Sequence, residues 1–363
     1  MITSKSIANG ILRAVGILGL VVITIYFLYL IQSVLIYIII AFIFTLIGNP
    51  ILQFFRKRLK LSNTFATVLT LFIFLFIIIG FILMFIPLVS SQSQSLSLLN
   101  TATIEKNTFQ LINQISIFLE NHNINPSLLM KEANFAAKIN FKFIPNFLNL
   151  LLTTISSFGI GLASVLFITF FFLKDQNLIV KNLQKIIPDE QEGKILNSIE
   201  KINHLLSRYF IGLLIQLLVV FILYLIVLLL FGIQNALIIA FLCSILNIIP
   251  YVGPLIATIL AALLTMISNI GGNFQTEILP TTIYILIGFW IVQLIDNNFS
   301  QPIIFSKSVS SHPLEIFLTI LIAGFIFGIL GMIFAVPLYT ILKVIGKEFF
   351  PENRLIQIFT KSI

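Results

Sequence analysis

One acidic residue in this sequence stands where acids are rare. Asp296 falls in "QLIDNNFSQP", within an apolar run and beside Gln293, Asn297, Asn298 and Gln301. A carboxyl group inside hydrocarbon is costly, and such groups are usually retained for function. Here it could take up a proton or sodium, or accept hydrogen bonds from a hydroxylated solute. The alternative is that Asp296 marks the wet cytoplasmic end of a shorter span. Asn247 raises a similar question. It opens "NIIPYVGP", where Pro250, Gly253 and Pro254 interrupt the uncharged run 236–268. The prolines and glycine are expected to form a helix-breaking tip, and the Asn247 amide to line a pathway. Glu315 and His312 flank the start of a second long apolar run. Glu315 could pair with Lys307 or take part in proton coupling. His312 reads as a loop-end residue, with a proton relay as its functional alternative.

Enzyme chemistry finds no foothold. There is no phosphate-binding glycine loop and no His-Glu-x-x-His pattern, and His122, His204 and His312 are scattered. No serine or cysteine nucleophile sits by a base. Cys243 is the only cysteine, which leaves no disulfide framework and no thiolate metal site. Neither a metal nor a cofactor is implied.

Composition explains why so few polar residues invite chemistry. Of 363 residues 59% are hydrophobic and 9% charged, with a mean hydropathy of +1.11. Several apolar runs exceed the roughly 20 residues that cross a bilayer. The sequence therefore describes an all-α polytopic membrane protein with about eight hydrophobic segments. Its net charge of +8 reads as membrane topology and not as a nucleic-acid footprint.

Basic residues set the expected orientation. Segments 14–31 and 33–49 form a hairpin at Gln32-Ser33, the first of them a retained span and not a cleaved signal. The cluster Arg56-Lys57-Arg58-Leu59-Lys60 then lies in the cytoplasm with Lys5 and Arg13. A third span, 64–88, completes an N-terminal membrane region, 1–88. Residues 89–146 are polar and lie outside. Ile104, Leu111, Ile112, Ile115, Phe118 and Leu119 recur there at helical spacing, as an amphipathic stripe needs. The fourth span occupies 147–175 and ends at Lys174-Asp175, a snorkelling or paired boundary. In 176–208, Pro188 before Asp189-Glu190 starts an amphipathic cytoplasmic helix, with acids at its positive end. It runs into span five, 209–231.

From Tyr209 through Ser306 there is no lysine or arginine. As one helix, 236–268 would reach about 50 Å, well beyond a hydrocarbon core of roughly 30 Å. It is expected instead to fold back at "PYVG", so that the neutral loop "NIGGNFQTE" returns outside. Span seven, 281–304, leads inward to Lys307. The run 314–345 is again too long, and Gly324, Gly328 and Gly331 interrupt it as close-packing or hinge positions. The sixth and eighth segments thus read as opposed re-entrant hairpins. Together 209–345 form an inverted span-plus-hairpin repeat, the sequence pattern of a transport core with its site near the midplane. A basic cytoplasmic tail, 346–363, follows. The expected partners are a lipid bilayer and a small solute, monovalent cation or proton. Amphipathic segments need partners, which adds a homo-oligomer to the expectations.

"FFLKD" (171–175), "LNIIPYVGP" (246–254), "QP" (301–302), "KSVSSHP" (307–313), "FGILG" (327–331) and "AVPLYTILKV" (335–344) resemble the AI-2E family of bacterial membrane transporters. The basic residues at both ends place both termini in the cytoplasm, and the resemblance implies a multi-pass bacterial inner-membrane protein. It further implies export of a small hydroxylated solute such as the quorum-sensing signal autoinducer-2, or sodium or lithium/proton exchange. The family commonly has Gly-Gln where this chain has Gly212-Leu213, and often an arginine where this chain has Ile303. A non-transporting scaffold that recruits partners through 89–146 and 176–208 is the reading from another class.

Overall fold

The computed structural model describes residues 4–90, 113–122, 161–269, 272–300 and 312–360. Among them the regular structure is helical. Among the described residues six helices are long and apolar enough to cross a membrane, or seven if a pair bent by 72° near Asp175 counts as one span. The chain divides into two compact units.

The first unit contains α1 (Ser4–Leu30), α2 (Gln32–Arg58), the start of α3 (Asn63–Ser90) and, after the described stretch α4 (113–121) of the other unit, α5 (Gly161–Lys174). Leu52, Ala66 and Leu173 form a small core. Asn63 Nδ2 donates to the Lys174 carbonyl at 2.7 Å, and Thr169 Oγ1 donates to Val165 at 2.7 Å, with the Ala41 carbonyl at 3.4 Å. Arg56, Lys57 and Arg58 occupy the last turn of α2, where their charge complements the helix dipole. The hairpin expected at Gln32-Ser33 is not a packed one. Residues 12–30 of α1 are exposed throughout, and Ile31 and Leu35 keep i−4 hydrogen bonds across the junction. Its side chains are apolar all round, as suits a helix facing lipid. Lys174 lies over the Phe170 ring at 5.5 Å, a boundary contact.

The second unit is built on one helix. After α6 (Gln176–Gln184), Pro188 caps α7 (Asp189–Leu230), whose first turn carries Asp189, Glu190 and Glu192 as expected. α7 runs unbroken for 42 residues, about 63 Å at 1.5 Å per residue. Its buried positions Leu206, Tyr209, Leu213, Gln216, Val220, Tyr224 and Leu228 follow helical spacing. α8 (Ala236–Leu246) and α9 (Val252–Ser268) fold back on each other. Cys243 Sγ donates to the Ala257 carbonyl at 3.4 Å, a contact that 14 residues of straight helix would place about 21 Å apart. A π-helical turn, Phe274–Ile278, leads into α10 (Leu279–Ile295), and a second, Asp296–Ser300, ends it.

α11 (Pro313–Phe349) also folds back. At Gly328 the backbone leaves the helix (φ 65°, ψ −149°). The Tyr339 hydroxyl then reaches Glu315 at 2.7 Å, although 24 residues separate them. A Cβ on Gly331 would lie 2.1 Å from the Ala323 carbonyl oxygen, and one on Gly324 would lie 2.5 Å from Met332. Glycine is therefore needed at 331, where the obstacle is backbone, whereas at 324 the flexible Met332 side chain can give way. α12 (Arg354–Thr360) closes the described chain. Of the 89–146 segment only 113–122 is described. Ile115 and Phe118 of α4 pack on Phe274 and Ile278, while Ile104, Leu111 and Ile112 lie outside the described residues. So do Gln301, Lys307 and the first part of the fourth span.

Candidate functional site

Asp296 is fully buried. The reason lies in α10, where Thr282, Ile285, Phe289 and Val292 form the buried stripe and Asp296 takes its next position. That stripe faces α7. Tyr224 and Phe289 stack at 3.9 Å with planes 9° apart, and a Cβ on Gly288 would meet Val227 at 2.6 Å. The antiparallel register brings Gln216 of α7 opposite Asp296, and Gln216 Nε2 donates to Asp296 Oδ2 at 2.7 Å. Both side chains are buried. The wet-end reading of Asp296 is thereby removed. Two polar groups face each other inside an apolar core.

The break between α8 and α9 delivers a third. Asn247 caps α8 and is 2% exposed. Its Nδ2 donates to the Cys243 carbonyl at 2.8 Å, while its Oδ1 is buried without a hydrogen-bond partner. The Tyr224 hydroxyl, also buried, lies within interaction range of Asn247, Cys243 and Asp296 but short of a well-formed hydrogen bond. The turn that presents Asn247 depends on its neighbours. Tyr251 has φ 65°, and Gly253 leaves room for the Leu246 carbonyl oxygen, which a Cβ would approach to 1.9 Å. Pro254 is buried at the start of α9.

The other expected residues go elsewhere. Gln293 Nε2 donates to Asn297 Oδ1 at 3.0 Å on a more exposed flank of α10, and Asn298 donates to the Leu294 carbonyl. His312 Nδ1 accepts from the Leu314 amide and caps α11, an exposed structural role. Glu315 accepts from Tyr339, with Lys343 Nζ 3.9 Å away. Lys343 has the sequence look of a cytoplasmic boundary charge, yet its side chain is only 2% exposed.

Gln216, Tyr224 and Lys343 are the functional candidates that spacing alone did not expose. The signal for the first two lies in α7, where a glutamine and a tyrosine interrupt an otherwise apolar i, i+3/i+4 stripe. Among the described residues no group of histidine, cysteine, aspartate and glutamate has a metal-binding arrangement. Oxygen predominates around the break: a carboxyl, an amide carbonyl and a phenol. Such a set can accept hydrogen bonds from hydroxyl groups or hold a small desolvated cation.

The model of the family described as "AI-2E family transporter" matches residues 18–350. The chain is 33% identical over 194 residues to "Putative transport protein YueF" of Bacillus subtilis, covering 52% of this chain and 49% of that protein. It is 28% identical over 230 residues to "Putative transport protein YrrI" of the same organism, covering 63% and 60%. It also matches "Putative permease PerM" of Escherichia coli, 36% over 69 residues, or 19% of each. The aligned stretches thus span about half to three-fifths of the first two relatives.

Proposed function

Because the chain belongs to the AI-2E transporter family, we propose that it is a secondary transporter. It exports a small polar or hydroxylated solute, of the autoinducer-2 kind, across the bacterial inner membrane by alternating access. The multi-pass helical architecture fits a bilayer partner. The observation that carries the site is the buried Asp296 carboxyl held by Gln216 between α7 and α10. A carboxyl in a membrane core interior is usually functional. Asn247 and Tyr224 would supply further contacts to solute hydroxyls. The two folded-back segments, α8–α9 and α11, are read as re-entrant from opposite faces, with both termini cytoplasmic.

A second reading has its own support. The oxygen-rich surroundings of Asp296, Asn247 and Tyr224 suit a sodium or lithium ion exchanged for a proton. Proteoliposomes of the purified protein containing a pH-sensitive dye separate the two. Sodium, lithium or potassium is added outside wild type and Asp296→Asn. Cation-driven proton movement that disappears in the variant assigns the antiporter. No proton movement, with flux of a labelled small hydroxylated solute that the variant loses, assigns the exporter. Retention of every flux by Asp296→Asn overturns the site.

A further inference from the structure

The transport reading leaves open what separates the Asp296 site from water at the end of α7 where Lys201 pairs with Glu348. That pair sets a register, because the second arm of α11 runs antiparallel to α7. About one and a half and two and a half turns inward on α11 lie Lys343 and Tyr339, which with Glu315 form a charged cluster. Tyr209 and Leu213 of α7 pack in one core with Ile320, Ala335 and Val336 of α11. Gln216, bonded to Asp296, stands seven residues beyond Tyr209, about 10 Å of helix rise. That distance has room for a single layer of apolar side chains between two polar sites.

The layer is completed by the tip of α8–α9. Ile249, two residues after Asn247, joins that same core. Ile249, Ile320 and Val336 are each less than 8% exposed. At the margin the Tyr251 ring meets Phe317 edge-on at 5.8 Å. The packing between the two folded-back segments is apolar on both sides. Each segment, in contrast, is tied within itself. Gly253 lies close under Leu246 in one, and Gly331 under Ala323 in the other, where Tyr339 also bonds Glu315. Apolar faces without directional bonds can slide, whereas internally bonded pieces move whole.

We propose that Ile249, Ile320 and Val336 form a gate closing the Asp296 site from the Glu315–Tyr339–Lys343 cluster. It opens when the α8–α9 tip withdraws from the flank of α11. The gate rests on the reading of Asp296 as the transport site, but its test does not require transport.

Cys243 is the natural reporter, being fully buried and one turn from Asn247. Full-length protein in vesicles of known sidedness is exposed to a small membrane-impermeant cationic methanethiosulfonate. Labelling at Cys243 is read by mass spectrometry. Ile249→Ala with Val336→Ala is expected to speed labelling severalfold from the face bearing Lys201, in protein with a wild-type gel-filtration profile. A second variant, Tyr251→Cys with Phe317→Cys, carries the test without opening the core. Joining these two cysteines with a short bifunctional thiol reagent is expected to slow Cys243 labelling below wild type, and reduction to restore it. Labelling that neither variant changes, or that rises only from the opposite face, overturns the gate. Gated labelling without any solute or cation flux would sink the transport reading and leave the gate standing. Lost flux in Asp296→Asn with ungated labelling would do the reverse.

Discussion

At the scale of single residues, the site depends on a stripe position more than on the acid itself. Asp296 was legible as an acid in an apolar run. Its burial was not, because the end of a span cannot be fixed to within a turn from hydropathy. Gln216 illustrates the complement. Leu213 stands where the family resemblance implies a glutamine, and a buried amide one stripe position further along α7, Gln216, bonds the acid. Replacing Gln216 with leucine removes one donor to Asp296. The expected loss is about 1 kcal/mol, in line with interhelical hydrogen bonds in membranes, seen as a lower thermal midpoint in detergent. Asp296→Asn keeps the shape, so its midpoint should stay near wild type while flux is lost. In the second cluster, Glu315→Gln leaves the buried Lys343 ammonium without its facing charge. That variant should melt lower than Glu315→Gln combined with Lys343→Met, because an unmatched buried charge costs more than a missing pair. Equal midpoints would show that the two side chains act independently.

At the scale of elements, the long broken runs were the most readable part of the sequence. Length against bilayer thickness, together with glycine and proline near the middle, points to re-entrant hairpins in 236–268 and 314–345. Both runs are broken there, at 247–251 and at Gly328, with their arms in contact, and re-entry into the membrane belongs to the proposal. What the sequence left open was the job of each glycine. Gly16 and Gly328 both have open space where a Cβ would go, but only Gly328 has a positive φ. Gly328→Ala is therefore expected to cost roughly 1–3 kcal/mol through backbone strain, while Gly16→Ala, in a helix, should be neutral or slightly stabilising. A thermal-shift comparison of the two checks this. The Gln32-Ser33 junction went the other way. A polar pair between apolar runs looked like a turn, but a helix carries two polar residues across an interface without reversing, and α1 does not pack back on α2. Gln293 and Asn297 also looked like site residues by proximity in sequence. One residue along a helix is a rotation of about 100°, enough to send Asn297 to a different face from Asp296.

At the scale of the whole molecule, charge asymmetry remains the guide to orientation. Single cysteines at Lys57 and Lys201 are expected to react with an impermeant thiol reagent from one face of the membrane, and one at the exposed Ile117 from the other. Labelling of Lys57 and Ile117 positions from the same side would refute the proposed topology. The Lys201–Glu348 pair is half exposed on the lysine side, so neutralising that lysine alone, Lys201→Met, should cost no more than about 1 kcal/mol. The length of α7 has a mechanical meaning. A rod of about 63 Å in a slab of roughly 30 Å must overhang by about half its length. The overhang ends in the acidic turn at Asp189, and the embedded half carries Gln216 and Tyr224. No break in the rod absorbs a push applied to that handle. A rigid rod would carry a tilt of that handle to Gln216 and through its hydrogen bond to Asp296, which would make the overhanging half a lever on the interior.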